Sequence, residues 1–302
     1  MGAEDIGSMQ SSPALNVGLP IALVIIMLGL GLSLKLEDFT RILSRPKPVL
    51  VGIVCQAAIL PAFCLVLVYL SDLPPAIAVG MMLLAASPGA TSATLYTHLA
   101  RGDVALSITF AAVTSVLVLV SLPIVANVSL LLFYGETETV SIGIDHILQI
   151  FALAVVPAMI GMFVHSRYPA MARRLDRPVK ALATFFLAAI VIFALVSHWG
   201  LVLAWGPVIG ATALVFNLVS FAVGYLAPLA LGVERRQAIA LAMSIGIHNA
   251  ALVITLALSQ YMLNNPEMAI PPALYGVIAY ITGGAFVWML NRRATASDLA
   301  PR

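Results

Sequence analysis

Long apolar stretches free of Asp, Glu, Lys and Arg follow one another along the chain, at 6–34, 48–71, 73–100, 104–135, 146–166, 181–233, 237–266 and 268–291. A helix needs roughly 20 apolar residues to cross the hydrocarbon layer of a bilayer. Every stretch but one fits a single crossing. The exception, 181–233, is about twice that length, and Ser197-His198-Trp199-Gly200 supplies a polar, turn-prone break near its middle. The pattern predicts an all-α membrane protein of nine transmembrane helices, with spans at about 14–34, 48–70, 74–98, 104–132, 146–165, 180–197, 203–230, 237–260 and 270–291. In this reading Trp199 and Trp205 bracket the outer turn between spans six and seven, as interfacial aromatics do. The connecting segments are short, so residues 1–302 are read as one polytopic membrane domain.

Of the 302 residues 62% are hydrophobic, against only 15 Lys+Arg and 13 Asp+Glu. So few charges cannot cover a water-soluble surface, which excludes a soluble enzyme, a nucleic-acid binder, a disordered chain and a secreted disulfide scaffold. The placement of the charges decides the topology. With span one running inward, the inner segments 35–47, 98–103, 166–180, 234–236 and 292–302 hold all 15 basic residues. The outer segments hold Glu4, Asp5, Asp72, Glu136, Glu138, Asp145 and Glu267, and no Lys or Arg. One missed span would invert every later loop. The positive-inside rule therefore puts the N-terminus outside and the C-terminus inside. The first 15 residues are acidic and lack the basic region of a signal peptide, so span one is read as structure. Basic inner loops without a targeting segment suit a bacterial cytoplasmic (inner) membrane. Cys55 and Cys64, nine residues apart in one apolar run, read as packing residues rather than a disulfide or metal pair. The expected partners are the lipid bilayer and a small solute, with no nucleic acid, and the assembly is a monomer or a weak oligomer.

The polar groups at mid-membrane depth are neutral. Ser and Thr there ordinarily bond their own helix backbone, whereas Gln56, Asn217, His248 and Asn249 need a partner or water. Two places combine polar groups with helix-weakening residues. In span three, Ser87-Pro88-Gly89-Ala90-Thr91-Ser92 sets Pro and Gly among hydroxyls; in span eight, Ser244-Ile245-Gly246-Ile247-His248-Asn249 does so without Pro. Proline removes a backbone donor and glycine permits a sharp change of direction. These segments read either as kinks or as two broken helices whose freed ends form a midplane binding site. In both cases the preceding span carries a buried amide, Gln56 before Thr91 and Asn217 before His248. The two places are five spans apart, an odd number, so the copies would be inverted, the sequence mark of a secondary transporter.

Several stretches resemble the bile acid:sodium symporter family. They are Gly29-Leu30-Gly31-Leu32-Ser33-Leu34 with Glu37-Asp38-Phe39 and Arg45-Pro46, then Gln56, then Ser87-Pro88-Gly89-Ala90-Thr91 leading into Leu99-Ala100-Arg101-Gly102-Asp103-Val104-Ala105-Leu106-Ser107, and finally Gly246-Ile247-His248-Asn249. The resemblance implies inverted repeats (four plus five helices in a nine-span member) and two crossing broken helices. It also implies a core domain of spans two, three, four, seven, eight and nine, and a panel domain of spans one, five and six. Helix breaks would fall at Pro88, Gly89 and Gly246.

The departures from the family pattern bear on chemistry. The resemblance aligns a Gly-Gly-Thr-Ala-Ser-Asn motif with Gly89-Ala90-Thr91-Ser92-Ala93-Thr94, replacing two sodium ligands, and puts Ala111 where a Thr ligand is usual. A Glu-Val-Gly-Met-Gln-Asn motif becomes Ser244-Ile245-Gly246-Ile247-His248-Asn249, so the carboxylate shared by two sodium sites is Ser244 and a ligating Gln is His248. A late His-Asn pair becomes Ala279-Tyr280. The implied ion-binding set is Gln56, Ser107, Ser244, Ile245, Ile247 and His248, as degraded sodium sites or as a proton site. The implied substrate-binding set is Thr91, Ser92, Thr94, His248, Asn249, Tyr280 and Thr282. Sodium is a hard cation that wants several oxygens, and neutral dipoles alone repay its dehydration poorly, so sodium coupling is expected to be weakened or lost. No cofactor is expected. Three roles are open to His248: proton carrier, silent hydrogen-bonded side chain (to Ser244, its i−4 neighbour, or to Gln56), and substrate contact.

The function expected is transport of a small organic anion, a bile-acid-like or pantoate-like carboxylate, by alternating access. The alternatives are a sodium-coupled symporter with non-standard ligands and an uncoupled carrier or sensor. An intramembrane hydrolase using Ser244 and His248 is disfavoured, because no orienting carboxylate or nucleophile elbow accompanies them.

Overall fold

The computed structural model describes residues 46–135, 199–258 and 263–298, together with single residues and short runs within 21–32 and 156–196. Expected spans 14–34, 146–165 and 180–197, the panel set, lie largely outside the described residues. Among the described residues the chain is helical, with no strand.

Helix α1 (Pro46–Val54), a π-helical turn (Cys55–Ile59) and α2 (Leu60–Leu70) form one continuous crossing. Helix α3 (Pro75–Ala86) starts on Pro74-Pro75, and α4 (Ser92–Leu99) continues the same expected span beyond an interruption. Helix α5 (Val104–Tyr134) is capped by the Asp103 side chain, which accepts from the Leu106 N–H. It bends by 52° between Val118 and Val120. Pro123 lies inside it and cannot donate to the carbonyl four residues back, which accounts for the bend. Helix α6 (Trp199–Ala230) precedes α7 (Arg235–Gly246), and after a second interruption comes α8 (Ala250–Leu258). A 3-10 turn (Pro266–Ala269) leads into α9 (Ile270–Asp298).

By length and apolarity, Pro46–Leu70, Trp199–Ala230 and Pro266–Arg292 each suffice to cross a membrane, and α5 joins them as a bent pair. Helix α6 begins earlier than the expected 203, so Trp205 lies within the helix rather than beside a turn. Ser197 and His198 of the expected break lie outside the described residues.

Helix α3 is buried all round from Ala76 to Ala86, and α7 from Ala238 to Gly246. A helix apolar on every side belongs in the interior. Helix α6 instead has two faces: Ile209, Ala213, Phe216, Ser220 and Gly224 point inward, whereas Leu203, Leu214, Leu218 and Leu226 are exposed. Val116, Val120, Ile124, Val128 and Leu131 make a similar exposed stripe on α5. Such apolar faces suit lipid, and the helices satisfy their own backbone groups there. Cys55 and Cys64 are free and buried, as packing residues are.

Candidate functional site

Both interruptions arise from local chemistry. After Ser87, whose backbone is extended (φ −71°, ψ 154°), Pro88 offers no N–H to continue α3. Helix α7 ends at Gly246, and Ile247 (φ −114°, ψ 85°) leaves the helical region. The two breaks meet. Gly89 and His248 form an isolated antiparallel bridge, in which the Ala90 N–H donates to the Ile247 carbonyl (2.7 Å) and the Asn249 N–H to the Pro88 carbonyl (2.8 Å). Freed groups from one break thus satisfy freed groups from the other. Gly89 permits this approach, and Gly246 permits the packing of α7 against α6. A Cβ on Gly89 would sit 2.5 Å from the Ser244 carbonyl oxygen, and one on Gly246 would sit 2.6 Å from the Phe221 ring.

A buried amide holds each break. Gln56 Nε2 donates to the Ser87 carbonyl (2.7 Å), the last before Pro88. Asn217 Nδ2 donates to the Gly246 carbonyl (2.8 Å), the last of α7. The π-helical turn carries Gln56, and such one-residue insertions often mark functional positions in helices. The environments then diverge. Tyr275 OH also donates to Gly246 O (2.8 Å), Asn217 Nδ2 reaches Tyr275 OH (3.0 Å), and Thr282 Oγ1 meets Asn217 Oδ1. On the other side, His248 Nδ1 shares the Ser87 carbonyl (3.3 Å), with its ring stacked on Phe216 (5.5 Å between centroids) and edge-on to Tyr275 (5.6 Å). Gln56 Oε1 and His248 Nε2 are buried without a hydrogen-bond partner. A carbonyl only accepts, so His248 Nδ1 carries a hydrogen, and in the neutral ring both unpartnered atoms are acceptors.

A second cluster consists of hydroxyls. Ser107 Oγ on α5 lies 3.0 Å from Ser244 Oγ on α7, 3.3 Å from Thr97 Oγ1 and 3.4 Å from Thr94 Oγ1 on α4. Ser107, Thr97 and Ser244 are fully buried. Ala111 is also buried, one turn further along α5. No charged side chain is among the buried described residues.

The open side of the crossing carries Thr91, exposed, and Ser92, half-buried at the start of α4. Ser92 Oγ reaches Tyr280 OH (3.4 Å), Tyr96 OH donates to the Tyr280 carbonyl (3.1 Å), and the two tyrosine rings stack at 6.2 Å. Tyr280 is 49% exposed.

The sequence-derived residues therefore fall into three groups. Gln56, Pro88, Gly89, Gly246, Ile247 and His248 meet at the crossing. Thr94, Ser107 and Ser244 join the hydroxyl cluster, with Ile245 buried beside Ser244. Thr91, Ser92 and Tyr280 share the open side. Two side chains point elsewhere: Asn249 Oδ1 caps α8 by accepting from the Leu252 N–H (3.1 Å), and Thr282 braces Asn217. Ser244 and His248 do not share a helical face, because the helix ends between them. The histidine engages Ser87 instead of Ser244 or Gln56. Phe216 and Tyr96 complete the site without a signal in the sequence, and Thr97 and Tyr275, legible there only as polar groups at membrane depth, join it.

The sequence profile of the sodium bile acid symporter family matches residues 20–205, more than half of the chain. The chain belongs to the sodium bile acid symporter family. Similarity extends past the matched region. The chain is 25% identical over 274 residues to a probable sodium/metabolite cotransporter of the Arabidopsis thaliana chloroplast, covering 91% of this chain and 67% of that protein. It is 28% identical over 263 residues to an uncharacterised sodium-dependent transporter of Bacillus subtilis (87% and 79% covered). It is 26% identical over 250 residues to the ileal sodium/bile acid cotransporter of Homo sapiens (81% and 70%). Members of the sodium bile acid symporter family are transporters, so this chain is an integral membrane transporter and not an enzyme.

Proposed function

We propose that this chain is a secondary transporter of a small organic anion, a bile-acid-like or pantoate-like carboxylate, working by alternating access with sodium coupling weakened or lost. The carrying observation is the pair of broken helices bridged at Gly89 and His248, with an open polar side formed by Thr91, Ser92 and Tyr280. Helix starts near Thr91–Thr94 and His248–Ala250 favour an anion through their N–H groups. The names of the relatives, sodium/metabolite and sodium/bile acid cotransporters, support the solute class.

The donor set argues against a sodium cage of the usual kind. The four hydroxyls pair with one another, Ile247 O and Gly246 O already accept, and no buried carboxylate accompanies them among the described residues. Residual acceptors are Gln56 Oε1 and His248 Nε2. The imidazole can take up a proton at its unpartnered Nε2, and His248 is the group we assign to carry a coupling proton. The matching roles of Gln56 and Asn217 support inverted repeats of four plus five helices in a nine-span chain. The core would be spans two, three, four, seven, eight and nine, and the panel spans one, five and six. Basic segments favour the N-terminus outside and C-terminus inside, in a bacterial inner membrane, as a monomer or weak oligomer.

The test is uptake of radiolabelled cholate and pantoate into proteoliposomes, with sodium or choline outside and with or without a pH gradient. Uptake of either, unchanged in choline and driven by an inward proton gradient that His248→Ala abolishes, is the expected result. Dependence on a sodium gradient would favour a symporter with non-standard ligands. Exchange without accumulation would favour an uncoupled carrier, and a pH response that survives His248→Ala would remove the proton role.

A further inference from the structure

The hydroxyl cluster joins three helices. Ser107 of α5 is the hub: Thr94 and Thr97 of α4 lie on one side of it and Ser244 of α7 on the other. Helix α4 is the second half of the first broken helix, and α7 is the first half of the second. The same hub therefore ties opposite arms of the crossing to one span. Thr97, Ser107 and Ser244 are buried and Thr94 is half-buried, and each has a partner within the cluster. A neutral, mutually satisfied cluster is stable in low dielectric without any ion, whereas a carboxylate at the same depth would require a cation to neutralise it.

We infer that Thr94, Thr97, Ser107 and Ser244 form a cation-independent lock, which holds the two broken helices to α5 in the ion-free protein and takes over the organising task that a bound cation would otherwise perform. This deepens, and rests on, the reading of the chain as a carrier with weakened sodium coupling. The residues are positioning residues: none of them need touch the solute. The lock makes the crossing equally well ordered in sodium-containing and sodium-free medium. It is also a single cooperative unit, because Ser107 is common to every contact, so removing either end of the Ser107–Ser244 bond breaks the same link.

The experiment uses the purified full-length protein in detergent, melted in sodium chloride and in choline chloride at equal ionic strength. The wild type is expected to melt at the same temperature in both salts. Ser107→Ala and Ser244→Ala should each lower the melting temperature by roughly 2–6 °C, equally in both salts. The double variant should fall no further than the worse single one. Ser244→Glu restores a buried carboxylate and should become sodium-responsive, melting several degrees higher in sodium than in choline. A wild-type melting temperature that rises saturably with sodium would overturn the lock, since a cation would then occupy the cluster. So would alanine variants that melt like the wild type, additive losses in the double variant, or a folded Ser244→Glu protein indifferent to sodium. Should Ser244→Glu fail to fold, the alanine cycle decides alone. These outcomes are separate from uptake: cholate and pantoate could both be refused while the melts behave as expected, which would sink the transport reading and leave the lock.

Discussion

Gln56 and Asn217 perform one task in two halves of the crossing, and they perform it with different completeness. Each amide donates to the last carbonyl before a helix break. Asn217 sits in an unbroken α-helix, and both ends of its amide are engaged, by Gly246, Tyr275 and Thr282. Gln56 sits on a π-helical turn, shares its carbonyl with His248, and leaves Oε1 unpartnered. The Asn217 end is thus closed by a complete network, whereas the Gln56 end, where His248 also docks, retains two unpaired acceptors in an apolar setting. Buried networks that are fully satisfied rigidify their surroundings, and incomplete ones mark places that take a water, a proton or a ligand. We read the Asn217 side as the anchor of the crossing and the Gln56–His248 side as its adaptable part.

Five substitutions test that contrast, taken as the amide pair, the glycine pair and one phenol. Asn217→Leu removes donors from Gly246 and Tyr275 and an acceptor from Thr282, and should cost about 2–4 kcal/mol. Gln56→Leu removes one bond together with an unpaired acceptor, and should cost about 1 kcal/mol or less. Thermal melts of the purified variants report the difference, and equal losses would break the comparison. Next come the glycines. Gly89→Ala drives a methyl group into the Ser244 backbone, which cannot rotate away, and should cost about 2–3 kcal/mol. Gly246→Ala meets the Phe221 ring, which can shift, so a loss of about 1–2 kcal/mol is expected, read by the same melts. The last change is Tyr275→Phe. It removes one hydroxyl from a carbonyl that Asn217 still serves, and about 1 kcal/mol should be lost with uptake of any accepted anion retained. Loss of uptake without loss of stability would move Tyr275 from the anchor to the solute pathway.

Much of the crossing was legible along the chain. Pro88-Gly89 and Gly246 announce the breaks, because proline and glycine act on their own backbone whatever surrounds them. The preceding amides were legible too, since an Asn or Gln at membrane depth must find a partner. Which partner it finds was not legible. Ser244 and His248 looked like neighbours on a helical face, but the backbone turns between them, and the histidine meets a carbonyl 161 residues away. The bonds of Asn249 and Thr282 were not legible either: Asn249 caps α8 and Thr282 braces Asn217. The place of Phe216 was not legible, because buried aromatic residues look alike in sequence until packing sets one against an imidazole.

By itself the sequence determined that this is a helical membrane transporter of the sodium bile acid symporter family. Those properties follow from hydropathy and from motifs, which are sums or patterns along the chain. The tertiary structure alone decided that the two breaks satisfy each other through a bridge at Gly89 and His248, and that three helices are tied through Ser107. The physical reason is that a freed backbone group or a buried hydroxyl must be paired, while its partner is chosen by distance in space and lies far away along the chain.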